Sequence, residues 1–192
     1  MKKIMFISFL SLLLVISCTQ ELKVADWLKV GTKFTYGVDY QGKEYDFIVE
    51  ITQLEPDLIY NWEMTDPVNL EGKMTIQKEA LESSFIHRNY YFGGEYETNE
   101  ETSGWFSRKS FSELKNQGYT LIQAGYGTDT LKVEMKMVDT IEVSLNEKTK
   151  KLNIIYAETE DGYAYWILDS KQYPVILKMH VDFNIDIDKI EY

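Results

Sequence analysis

A chain of 192 residues with 31 acidic and 20 basic side chains carries a formal charge of −11. That charge opposes association with nucleic acid or anionic lipid head groups, and no basic run reverses it locally. A single cysteine excludes a disulfide framework within the chain, and two histidines in separate segments do not make the compact ligand set of a zinc site.

The first element is a leader. Lys2 and Lys3 precede an uncharged run, Ile4 to Ile16, interrupted only by Ser8 and Ser11. A bilayer-spanning helix needs about 20 apolar residues, so this run is too short for a permanent span and fits the apolar region of a secretory signal. It ends Val15-Ile16-Ser17-Cys18, which resembles the lipobox of bacterial lipoproteins. The resemblance implies cleavage before Cys18, lipid on its thiol and acylation of the new amine. Several acyl chains hold a protein on a membrane without help from its surface. Thr19, in place of an aspartate, resembles the enteric sorting signal for the outer membrane. On this reading residues 1–17 are a lipoprotein signal peptide, 18–29 a lipidated tether bearing the anchoring aromatic Trp27, and 30–192 one domain. Loss of the leader removes two lysines and no acid, leaving 175 residues at −13.

From Lys33 the period is two. Phe34, Tyr36, Val38 and Tyr40 share one face, Gln41-Gly42-Lys43 turns the chain, and Tyr45, Phe47, Val49 and Ile51 return. Glu55-Pro56-Asp57 makes a second turn before Tyr60, Trp62 and Met64, and a shorter strand carries Met74 and Ile76. Residues 78–90 read as a short helix or an irregular edge, and Gly93-Gly94 opens an acidic loop through Ser103. A helix is predicted over 107–118. Ser110 and Glu113 have the spacing of a capping box, Phe111 and Leu114 mark the buried side, and Gly118 sits where a left-handed C-cap is wanted.

Beyond the turn Gly125-Tyr126-Gly127, Leu131, Val133, Met135 and Met137 alternate with polar residues, and Ile141, Val143 and Leu145 keep the same parity. This is either a hairpin near Val138–Thr140 or one long bent strand. Four more strands are expected over 152–158, 163–169, 175–182 and 185–192. Short strands joined by tight turns argue for an antiparallel meander. The predicted fold class is mainly β, a β-rich α+β domain. It has one strongly curved antiparallel sheet of about ten strands, a half-barrel or open barrel, with one or two short helices.

The segment Tyr165 to Lys178 has an aromatic-aliphatic strand ending in Asp169, a turn bearing Pro174 and an aliphatic strand after it. It resembles the late hairpin of the lipoprotein-carrier-like half-barrels, the superfamily of LolA and LolB. Trp27 to Tyr36 is similar to the start of such a sheet. The resemblance implies an apolar concave face, lidded by helices, that holds acyl chains or another hydrophobic ligand. Helical content is lower here than in the carriers. Tyr90-Tyr91-Phe92 is the candidate counterpart of the protruding apolar loop in the lipoprotein-inserting member.

Signals for chemistry are few. Asp182, Asn184 and Asp186 match the opening of a calcium loop, but Ile187 stands where the loop needs a glycine. Alternation with Phe183, Ile185 and Ile187 reads instead as an acidic strand face bearing Asp188 as well. The Gly-Tyr-Gly turn lacks the lysine and hydroxyl of a phosphate loop, and no Gly-x-Ser-x-Gly elbow occurs. Met135 and Met137 are soft ligands suited to copper, yet both lie in the apolar register of a strand. His87 and His180 fall in different elements. The expectation is a non-enzyme without cofactor: an outer-membrane-type lipoprotein attached through Cys18. Tyr36, Trp62, Met64, Met135 and Trp166 would line its site for a hydrophobic, lipid-like ligand. The alternative is a structural or interaction lipoprotein of the cell envelope with a filled core, making protein contacts through the Gly93–Ser103 loop.

Overall fold

A computed structural model describes residues 23–89, 91–125 and 129–192. The leader, Cys18, Tyr90, Tyr126 and Gly127 lie outside the described residues. The strands are β1 (Lys33–Tyr40), β2 (Lys43–Gln53), β3 (Leu58–Met64), β4 (Leu70–Ile76), β5 (Ile86–His87), β6 (Gly94–Thr98) and β7 (Glu101–Thr102), then β8 (Tyr119–Ala124), β9 (Thr130–Leu145), β10 (Lys148–Thr159), β11 (Ala164–Leu168), β12 (Ile176–His180) and β13 (Asn184–Glu191). The helices are α1 (Val24–Trp27), α2 (Lys78–Ser83) and α3 (Arg108–Gln117). None of the described helices is long and apolar enough to cross a membrane.

All thirteen strands join one sheet, in the order β6-β4-β3-β2-β1-β13-β12-β11-β10-β9-β8-β5-β7. The protein is thus mainly β, with one large curved sheet, as its alternation predicts. It is a mixed sheet rather than a purely antiparallel one. Hairpins make β1 to β4 and β8 to β13 antiparallel, whereas β4–β6, β5–β7 and β5–β8 are parallel because the chain crosses over between them. β13 also meets β9 in parallel, pairing Lys189 with Ser144 and Ile190 with Leu145. The two end strands of the order, β6 and β7, are separated in the chain only by Asn99 and Glu100. The ends of the sheet are therefore neighbours, and the sheet wraps around its concave face.

Local chemistry explains the elements. Gln41 and Gly42 both have positive φ, 54° and 75°, which is the backbone a two-residue hairpin requires. Asn146 and Glu147 do the same between β9 and β10. β9 is one strand of sixteen residues, and a bulge opposite Tyr156 and Ala157 bends its pairing with β10. The acidic stretch after Gly93 is not a loop but strands β6 and β7. α3 begins one turn earlier than its expected capping box. Ser107 is the N-cap, accepting from the Ser110 N–H at 3.1 Å, while Glu113 accepts from the Thr120 hydroxyl at 2.9 Å. Gly118 closes the helix in the left-handed region at φ 83°.

Two cores lie on opposite sides of β10–β12. Ile154, Leu168 and Leu177 join a core that also holds Phe34, Ile51 and Tyr60. Ile155, Ile167 and Ile176 join Phe111 and Leu114 of α3. Strands buried on both faces read as continuous apolar runs rather than alternation. At one end the fold is plugged. Trp27 of α1 is fully buried, packs edge-on against Phe34 at 6.2 Å, and accepts a 2.6 Å hydrogen bond from the Thr32 hydroxyl through its carbonyl. The packed domain thus starts within the segment read as a tether. Arg108 seals the same end, reaching Glu55 at 2.7 Å, Glu82 at 2.5 Å and the Gln172 carbonyl at 3.2 Å. The void between Leu58, Leu81 and Trp105 there holds about 10 Å³, too little for a comfortable water.

Candidate functional site

The opposite end is hollow. A cavity of about 780 Å³ lies inside the wrapped sheet, within the range of small-molecule sites. Its broad wall is built by strand register. Met179, Ile185, Val38 and Tyr45 lie side by side across β12, β13, β1 and β2. Tyr36, Phe47, Met64 and Leu70 make the next row across β1 to β4. All eight line the cavity. The facing wall comes from His87 on β5, Tyr91, and the Ser103–Trp105 segment.

The hairpin turns on this end form the rim. Tyr40 and Lys43 lie at the β1–β2 turn, Val68 and Leu70 at β3–β4, Tyr163 at β10–β11, and Asp182 and Phe183 at β12–β13. Tyr40 and Leu70 are 42% and 38% exposed, so the mouth meets solvent there. Lys43 is the rim cation. On the rim the Tyr163 hydroxyl donates to Asp182 at 3.0 Å.

The hydroxyls deep in the site are paired, whereas Asn89 Oδ1 and the Trp105 indole N–H, which also border the cavity, have no hydrogen-bond partner among the described residues. The Tyr36 hydroxyl donates to the Ile176 carbonyl at 3.2 Å. The Tyr60 and Tyr91 hydroxyls meet at 2.9 Å, and Ser103 donates to Tyr91 at 2.9 Å. Burial raises the pKa of all three tyrosines, because the phenolate would be stripped of water. Arg88 is held by an ion pair with Glu101. His87 differs. It sits between Phe106 and Tyr165, with ring centroids at 5.8 and 6.4 Å, and neither ring nitrogen has a partner of regular geometry among the described residues. Burial pulls its pKa from 6.5 down to about 4, with a smaller opposing effect from the Trp105 backbone. It is neutral at pH 7.

A smaller pocket of about 260 Å³ adjoins the cavity, bordered by Trp62, Met74, Phe92 and Tyr96. The five predicted lining residues therefore separate. Tyr36 and Met64 line the cavity, and Trp62 lines the adjoining pocket. Met135 is half-buried at the edge of the second core, its N–H donating to the Gly118 carbonyl at 2.8 Å. Trp166 packs between Tyr156 and His180, at 4.8 and 4.9 Å, away from the cavity. Phe47, His87 and Trp105 were not expected. Phe47 was readable from its parity with Val49 in β2, whereas His87 and Trp105 arrive by long-range packing that carries no periodic signal. The acidic row on β13 is tied locally: Asp186 bonds His180 at 3.2 Å and Lys178 at 3.3 Å. Burial and the neighbouring Asp46 and Asp186 raise the Asp188 pKa. Among the described residues no three His, Cys, Asp or Glu side chains converge as a metal site needs.

No family model, no curated protein and no solved structure matches the chain.

Proposed function

We propose that the protein is a non-catalytic binding module whose cavity takes a hydrophobic, lipid-like ligand. One observation carries this reading: a space of about 780 Å³ bounded by two registered rows of aromatic and aliphatic side chains, in a fold whose other end is filled. Deep hydroxyls are already paired, so an apolar body leaves none of them unsatisfied on entering. The polar rim suits a head group left at the solvent. We further propose that Cys18 carries lipid and holds the module on the outer membrane, supported by the Ser17-Cys18 junction after a short apolar run. A kinship of architecture with the lipoprotein-carrier-like half-barrels is part of the same proposal, supported by the curved sheet and its apolar concave side.

The test is direct. Native mass spectrometry of protein released from membranes should show a bound lipid-sized adduct, and a fluorescent apolar probe should bind the delipidated protein. Val38→Trp and Met64→Trp put bulk into the cavity and should each weaken probe binding about tenfold or more, since the lost contact area amounts to several methylenes. Unchanged binding in both variants, or no binding at all, would overturn the reading.

A second reading has its own support. β6 is the outermost strand of the sheet order, with Tyr96 half-exposed and Phe92 67% exposed beside it, as a protein-contact edge would be. A pull-down lost on Tyr96→Lys, with probe binding retained, would favour that reading.

A further inference from the structure

The cavity and the 260 Å³ pocket share a wall. Arg88, Tyr91 and Ser103 border both spaces. Ser103 is small, and Arg88 is drawn to Glu101. Tyr91 supplies the bulk. Its ring lies 4.7 Å from Phe47, which faces the cavity, and 5.0 Å from Trp62, which faces the pocket. The partition is therefore an aromatic ring held between one residue of each chamber. Its hydroxyl is pinned at 2.9 Å by Tyr60 and at 2.9 Å by Ser103. Tyr91 lies outside any strand, between β5 and β6, so ring contacts and these two bonds set its place, not sheet pairing.

We propose that Tyr91 is a specificity residue: it ends the ligand chamber and so sets the length of apolar chain that the protein accepts. The proposal rests on the ligand-binding reading and adds the ligand class, a straight apolar tail with a measurable limit. Without the ring the chamber runs on beneath Phe92 and Tyr96, and the 260 Å³ pocket adds a third to the 780 Å³ already present. Phe92 and Tyr96 are exposed, so the extension leads outward past the end strand of the sheet.

The experiment measures displacement of an apolar fluorescent probe by straight-chain alcohols from octanol to eicosanol, on the delipidated full-length mature protein. For the wild type, affinity should rise with each methylene and stop at a cut-off. Tyr91→Ala should move that cut-off to longer chains and tighten binding of the first alcohols beyond it roughly tenfold, the effect of about two extra buried methylenes. Tyr91→Phe keeps the ring and should keep the cut-off, although it loses both hydroxyl bonds. If Tyr91→Ala does not fold, Tyr91→Leu makes a smaller opening and should give a shorter shift. A cut-off shared by wild type, Tyr91→Ala and Tyr91→Leu, with short alcohols bound by all, overturns the role of Tyr91 and leaves the ligand-binding reading standing. Failure of every alcohol to displace the probe, or absence of probe binding, overturns that reading and this inference with it.

Discussion

Gly72 shows how little room the concave wall leaves at its far side. It pairs with Trp62 on β3 and with Gly94 on β6, and a β-carbon there would sit 2.1 Å from the Gly94 carbonyl and 2.7 Å from the Trp62 ring. Backbone lies on one side and a packed indole on the other, so neither neighbour can swing away. Gly72→Ala should destabilise the fold by about 3 kcal/mol in denaturant unfolding, the upper part of the overpacking range. An unchanged midpoint would mean that β6 is not held there. His87 makes a prediction of a different kind. Its folded pKa of about 4 lies below the 6.5 of the unfolded chain, so the unfolded state takes up the proton first. The contribution of His87 is whole above pH 6.5 and is lost as pH falls toward 4, a span worth ~3 kcal/mol. Stability of wild type and His87→Leu, compared at pH 7 and pH 4.5, should differ in slope, with the variant flatter. Parallel slopes would show that the ring is hydrated rather than dry.

Among the elements, the sealed end depends on one side chain that ties three connections together. Arg108 at the start of α3 joins the β2–β3 loop through Glu55, α2 through Glu82 and the β11–β12 loop through Gln172. The glutamates are nearly half exposed, which screens the charges, so Arg108→Ala should cost about 1–2 kcal/mol, and Lys should restore little because it lacks the fork. Thermal unfolding of both variants checks this. The same elements show what the sequence made legible. β1, β2 and β9 declare themselves through the alternation of apolar with polar or small residues; in β2 this matches one dry and one wet face, whereas in β1 Thr35 is buried as well and in β9 residues 136–140 are exposed on both faces. Tyr36 follows from the parity of β1 and Met64 from that of β3. β6 does not, because Glu95, Tyr96 and Glu97 are all exposed and no apolar face exists to read. Trp166 was misplaced for the opposite reason. β11 is buried on both sides, and hydrophobicity alone does not say that Tyr165 and Ile167 face one core while Trp166 faces away from it. α3 was found with its cap displaced by one turn, since Ser107 and Ser110 satisfy the same local pattern and packing chose between them. The parallel contacts β4–β6 and β13–β9 join residues far apart in the chain, and no local signal encodes them.

On the scale of the whole molecule, the two ends of the fold are unlike: one is plugged by Trp27 and sealed by Arg108, the other opens between hairpin turns. β1 runs from the plug to the rim, a span of roughly 26 Å at the usual strand rise. Six residue steps separate Cys18 from Val24, and they reach at most about 20 Å when fully extended. If Cys18 carries lipid as proposed, the plugged end would be the one nearest the bilayer and the mouth would lie on the far side. Cys18→Ala should yield no acylated species by mass spectrometry, and acylated protein from it would end this picture. In vesicles carrying spin-labelled lipid, a fluorophore at Gln41 should be quenched far less than one at Lys29. Under the proposed attachment, a cup mounted by its base would exchange its contents with what passes above it, a soluble carrier or an opposing surface, and not with the leaflet in which it stands.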